Sequence, residues 1–71
     1  MTTTLINTTG NHRKFYTVTV KDKIVELKWG RIGNAPQVKN VKFDHVVFAE
    51  DFATDKINEK LWKRGYERLS A

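Results

Sequence analysis

Two stretches in the first half of the chain alternate apolar and polar positions. Residues 14–20, KFYTVTV, put Tyr16, Val18 and Val20 on one side and Phe15, Thr17 and Thr19 on the other. That two-residue period, in aromatic and β-branched residues, predicts a half-buried strand. Residues 24–29, IVELKW, repeat the pattern with Val25, Leu27 and Trp29 on one face. The charged KDK between them is short enough to join the two as an antiparallel hairpin. Residues 30–37, GRIGNAPQ, carry two glycines, Asn34 and the chain's one proline, and predict a loop. Residues 37–43, QVKNVKF, resume as a third strand with weaker alternation. Upstream, TTLIN within residues 1–10 is free of charge and reads as a short edge strand or tail.

The period then changes. Val46, Ala49, Ala53, Ile57 and Leu61 recur at helical spacing and define one apolar stripe. Asp44 is the expected N-cap, and the helix should run for about 20 residues to the neighbourhood of Gly65, with Lys63 and Arg64 in its last turn. Phe48, Phe52 and Trp62 fall outside the stripe. Either the sheet wraps two sides of the helix and buries them, which is the expected arrangement, or they meet another chain or the terminal segment. The architecture implied is α+β, a twisted antiparallel sheet with one long helix packed across it.

Length limits this to one domain, residues 1–71, because a chain of this size buries only about 60% of its extended surface and has none to spare for a second core. With no cysteine, no disulfide or thiolate site exists, and the fold rests on apolar packing. No apolar run approaches the roughly 20 residues that span a bilayer, and the start MTTTLINTTG lacks the features of a secretion signal. The expectation is an intracellular, cytoplasmic protein without membrane contact, nucleoid-associated if bacterial. Asn7, Thr8 and Thr9 match a glycosylation sequon, and without a secretion signal they read as a polar turn.

Charge becomes informative once it is located. The net charge is +5. Residues 11–42 hold eight Lys and Arg against Asp22 and Glu26, a local +6, whereas residues 43–71 hold five against six acids, a local −1. Between Leu27 and Phe43 there is no acid at all. Segregation of this kind suits a polyanion ligand, although a basic solvated surface would give the same totals.

The candidate chemistry excludes more than it includes. His12 and His45 lie in different elements, with no Ser or Cys beside them in a nucleophile pattern. Glu50 and Asp51 are adjacent and point about 100° apart on a helix, so they cannot face one substrate as an acid and base pair. Gly30 and Gly33 lack the spacing of a phosphate-cradling loop. A metal site from His12, Asp44 and His45 would draw on separate elements. No catalytic residue, metal or cofactor is therefore expected, and the sequence reads as a binding module rather than an enzyme. Lysines and arginines on strands and loops can neutralise phosphates, and a flat aromatic can stack on a sugar or base, with Trp29 the clearest candidate. Periodicity alone gives Trp29 a plainer role, closing the end of the core.

At this point the chain as a whole resembles the WGR domain, a module of the DNA-dependent poly(ADP-ribose) polymerases and of small bacterial proteins. The resemblance is carried by Lys14-Phe15-Tyr16, by Trp29-Gly30-Arg31-Ile32-Gly33, by Gln37, by Phe43, Ala49 and Ala53, and by Glu59-Lys60 with Gly65-Tyr66. It implies a non-enzymatic nucleic-acid-binding module, with DNA favoured over RNA and ends or breaks included. Trp29 would be the stacking platform beside a 5′ phosphate, and Arg31 a phosphate or signalling contact. With the basic run added, the expected nucleic-acid-binding set is Arg13, Lys14, Tyr16, Lys28, Trp29, Gly30, Arg31, Gln37, Lys39 and Lys42. Arg13 stands where the family commonly has Asn, and Pro36 where it usually has Gly before the glutamine. The alternative is an accessory subunit that keeps the fold without the DNA grip and meets a protein partner through Phe48, Phe52 and Trp62.

Overall fold

The computed structural model describes residues 1–63 and 65–69, with the side chain of Lys63 excepted. Its elements in chain order are β1 (Thr2–Asn7), β2 (Lys14–Lys21), β3 (Ile24–Arg31), β4 (Gln37–Lys42), α1 (Val46–Lys63) and β5 (Glu67–Arg68). The strands form one antiparallel sheet in the order β4-β3-β2-β1-β5. This is the expected α+β fold, with the helix laid across one face. Five strands at about 4.8 Å spacing make a sheet about 19 Å wide, and an 18-residue helix is about 27 Å long, enough to cross it obliquely. The helix thus carries the chain from the β4 edge to the opposite edge, where β5 adds to β1.

Two expectations about the ends are corrected. TTLIN is neither tail nor outermost strand: β1 pairs with β2 along its whole length, and Leu5 is fully buried. The short β5, which the sequence does not announce, covers part of the free edge of β1 by pairing Leu5 with Arg68 and Ile6 with Glu67. The helix begins one residue later than a cap at Asp44 would place it. The amide of Ala49 donates to the His45 carbonyl, so His45 holds the capping position. Arg64, expected in the last turn, lies outside the described residues.

The core confirms the alternation read from the strands. Leu5, Tyr16, Val18, Val25 and Leu27 on the sheet meet Ala49, Ala53 and Ile57 on the helix, all buried. Two alanines on the contact line let the helix approach closely. Val46, the first residue of the expected stripe, is exposed, because the helix starts beyond the sheet's edge. At the other hairpin end Asp22 holds a left-handed conformation (φ 56), which Asp tolerates in tight turns. The sequon asparagine is buried, and its Oδ1 accepts the Thr9 amide at 3.0 Å, the polar turn that was expected. No helix among the described residues is long and apolar enough to cross a membrane.

Gly30 has a φ of +154, which side-chain-bearing residues rarely adopt, although a Cβ there would meet nothing closer than 3.7 Å. Backbone conformation rather than space therefore requires glycine. It lets β3 turn after Trp29 without losing the pairing of Gly30 with Phe15. Gly30→Ala is expected to cost about 1–2 kcal/mol through this strain. For a domain of this length that lowers the melting midpoint by about 5–15 °C in a thermal scan followed by circular dichroism. An unchanged midpoint would contradict the strain.

Candidate nucleic-acid interface

Because paired residues of neighbouring strands share a face, the register sets the helix-side surface in rows. The row nearest the open end is Asn7, Lys14 and Arg31, and the next is Leu5, Tyr16, Trp29 and Gln37. Then come Thr3, Val18, Leu27 and Lys39. The helix covers the inner parts of the lower rows and leaves the β3 and β4 ends of the upper ones open. Trp29 sits on this boundary, half-buried against the core. It therefore does both things that the sequence left as alternatives: one side closes the core and the other faces a recess.

The aromatic neighbourhood is fixed by ring contacts. Trp29 lies 6.4 Å from Tyr16, tilted by 37°, and Tyr16 meets Tyr66 edge-on at 6.4 Å. Lys60 reaches over from the helix, its Nζ 4.8 Å from the Tyr16 ring centre and 5.8 Å from that of Tyr66. Lys60 points inward because it lies three residues after Ile57, on the sheet-facing side of the helix. Its stem covers apolar surface while its charge remains at the rim. Burial pushes the Tyr16 hydroxyl above its ordinary pKa of 10.0, and the nearby Glu59 carboxylate and Tyr66 push in the same direction. Tyr16 is thus a neutral, buried support for Lys60 and Trp29 at physiological pH, not an acid.

Open recesses flank Trp29. The first, about 390 Å³, is lined by Asn11, His12, Arg13, Lys14, Trp29, Gly30, Arg31, Lys60 and Tyr66. The second, about 450 Å³, is lined by Tyr16, Leu27, Trp29, Lys39, Val41, Phe52, Lys56 and Lys60. Among the described residues, Arg13, Lys14, Arg31, Lys39, Lys56 and Lys60 therefore line the pair, and no carboxylate does. The helix has four acids, all exposed. At about 100° per residue Asp51, Asp55 and Glu59 point away from the side that carries Ala53, Ile57 and Lys60, and Glu50, near the helix start, lines neither recess. A helix whose sequence is slightly acidic thus contributes two lysines to a basic surface.

Of the expected residues, Arg13, Lys14, Trp29, Gly30 and Arg31 meet in the first recess, and Tyr16, Trp29 and Lys39 in the second. Gln37 pairs with Trp29 on the same face and is exposed beside them without lining either recess. Lys28 and Lys42 do not join this group. Lys28 pairs with Thr17 and Val38, and Lys42 with Ile24, which places both on the reverse face of the sheet by strand alternation. Lys28 also approaches Glu26, at 3.9 Å. The sequence reading missed Lys56, Lys60 and Tyr66. A signal was present, since Lys60 and Tyr66 belong to the motifs that carried the resemblance, and Lys60 follows Ile57 by three residues, on the side of the apolar stripe.

The aromatics outside the helix stripe divide. Phe52 is half-buried and packs on Phe43 at 5.2 Å, so the expected burial holds for it. It fails for the others: Phe48 is 53% exposed, with His45 edge-on at 5.4 Å, and Trp62 is 85% exposed. At about 100° per residue Trp62 points to the side of the helix opposite Ala53 and Ile57, whereas its neighbour Leu61 still packs against the core.

Comparison with known proteins agrees with the fold. The model of the WGR domain family matches residues 1–71. No curated protein matches the sequence. Among solved structures, a crystal structure of a Bacteroides fragilis protein determined by structural genomics superposes with a TM-score of 0.89 at 26% identity. The alignment covers 99% of this chain and 20% of that one, so this chain spans about a fifth of that protein's length.

Proposed function

The chain belongs to the WGR domain family, a binding-type domain associated with nucleic acids in poly(ADP-ribose) polymerase-like proteins, and from that premise we propose that it is a non-enzymatic DNA-binding module that grips ends or breaks. The observation that carries the reading is the pair of recesses around Trp29, lined, among the described residues, by six cations and no carboxylate. A half-buried tryptophan held by Tyr16 offers a rigid stacking surface for a terminal sugar or base, at little entropic cost. Arg31 and Lys14, opposite each other on β3 and β2, with Arg13 and Lys60, supply phosphate contacts beside it. Such a ligand places the work inside the cell, at the nucleoid in a bacterium.

Intrinsic fluorescence tests this if the exposed Trp62 is first replaced by Phe, so that Trp29 alone reports. At low salt, 5′-phosphorylated linear duplex should change the signal at lower concentration than unphosphorylated duplex, closed circular DNA or RNA of the same sequence. No change with any nucleic acid would overturn the reading. Equal titration of linear and closed DNA would remove the preference for ends.

The reverse face provides a control. Lys28→Ala with Lys42→Ala removes two positive charges without touching either recess and should weaken binding by less than about twofold near 0.15 M salt, where the Debye length is about 8 Å. Lys14→Ala with Arg31→Ala, an equal change in charge, should weaken it far more. Equal losses would mean that net charge, not the recess, does the binding.

A second reading rests on the exposed Trp62 and Phe48, which would suit a protein contact on the outward side of the helix. Trp62→Ala should then abolish association with that partner while leaving the DNA titration unchanged.

A further inference from the structure

The two recesses differ in chemistry. The first is polar and cationic, and Trp29 with Tyr66 is its aromatic part. The second has an apolar floor of Leu27, Val41 and Phe52, with lysines on both walls: Lys39 from β4, Lys56 and Lys60 from the helix. Lys56 lies 5.5 Å from the Phe52 ring centre, as Lys60 lies 4.8 Å from that of Tyr16, so both helix lysines are held against aromatic faces along the same wall. Phosphate needs only the cations. An apolar floor between rows of cations suits a ligand with a flat apolar part and a charged backbone. A volume of about 450 Å³ lies within the range of sites for single small molecules.

We infer that this second recess takes an unpaired nucleotide of a single-stranded extension, so that the protein recognises junctions between duplex and single strand rather than blunt ends. The inference rests on the DNA-binding reading above and goes beyond it. Trp29 and Lys60 line both recesses and connect them. Arg31 and Leu27 are four residues apart on β3, about 13 Å at strand rise. At about 3.4 Å or more per nucleotide, a strand that starts in the first recess reaches the far side of the second within about four nucleotides. A one-nucleotide overhang covers only about a quarter of that span.

Fluorescence anisotropy at fixed salt on labelled 5′-phosphorylated duplexes tests this, using ends that are blunt or carry one- or four-nucleotide overhangs of either polarity. One four-nucleotide polarity should bind about tenfold more tightly than blunt, the scale of a single stacked base, and the one-nucleotide overhangs should match blunt. Lys39→Ala with Lys56→Ala, both on the surface and checked by thermal unfolding, should abolish that gain, so that the variant binds blunt and four-nucleotide ends alike. Lys28→Ala with Lys42→Ala should preserve the gain. Equal affinity for blunt and four-nucleotide ends overturns the inference and leaves the DNA-binding reading intact. A gain that survives Lys39→Ala with Lys56→Ala overturns the assignment to this recess. Failure to bind any of the duplexes overturns both.

Discussion

Raising the salt from 50 to 200 mM should weaken binding to phosphorylated duplex by about a thousandfold. Duplex DNA releases condensed counterions when a protein neutralises its phosphates, and log affinity falls against log salt with a slope of about −0.9 per phosphate. If all six lining cations engage, the slope is about −5, and a fourfold rise in salt gives that loss. The prediction is sharper in the variants, because each contact removed takes its share of the slope with it. Lys14→Ala with Arg31→Ala should make the slope shallower by about 2, whereas the reverse-face pair Lys28→Ala with Lys42→Ala should leave it unchanged. A titration series at four or five salt concentrations reads both numbers. A slope shallower than about −2 for the unaltered protein would mean that the cations around Trp29 do not meet phosphates.

The reason six cations converge is only half visible in the sequence. The run from Leu27 to Phe43 shows its missing acids directly, and strand alternation then decides which of its lysines face the helix. Applied strictly, that alternation separates Lys39 from Lys28 and Lys42, since Leu27 and Trp29 are core-side and Lys28 lies between them. The hairpin and the central part of the helix stripe were legible for the same reason: period-2 and period-3.6 patterns report burial against one surface. What was not legible depends on tertiary placement. Lys60 belongs to a segment that is acidic in total, and although its spacing puts it on the apolar stripe, only the crossing of the helix places Tyr16 beneath it. Trp62 is the converse, a residue type that suggests burial, on the side of the helix turned away from the sheet. The two-residue β5 has no period to show. It exists because β1 offers an unpaired edge where the chain returns after the helix.

Trp29→Leu separates the two roles that meet at the boundary of the core. Leucine fills the half-buried space against Tyr16 and keeps an apolar floor, so the protein should stay folded, at a cost of about 1 kcal/mol or less. It has no π-face, so a stacked nucleotide should lose about 1–3 kcal/mol, which is about 5- to 150-fold in affinity. Trp29→Phe keeps a ring in the same place and should lose much less. Trp29→Ala removes both functions. It leaves a void beside Tyr16 and costs about 2 kcal/mol of stability, roughly half the penalty of truncating a fully buried aromatic, on top of the lost stacking. Melting curves and anisotropy titrations on the three variants therefore order them differently. By stability the order is Phe, Leu, Ala, with Leu close to Phe; by affinity Phe stands apart and Leu falls toward Ala. If Trp29 only closed the core, the two orders would coincide and Leu would bind as well as Phe. The Leu variant carries the decision, because it is the one substitution for which the core and the ligand ask for different things.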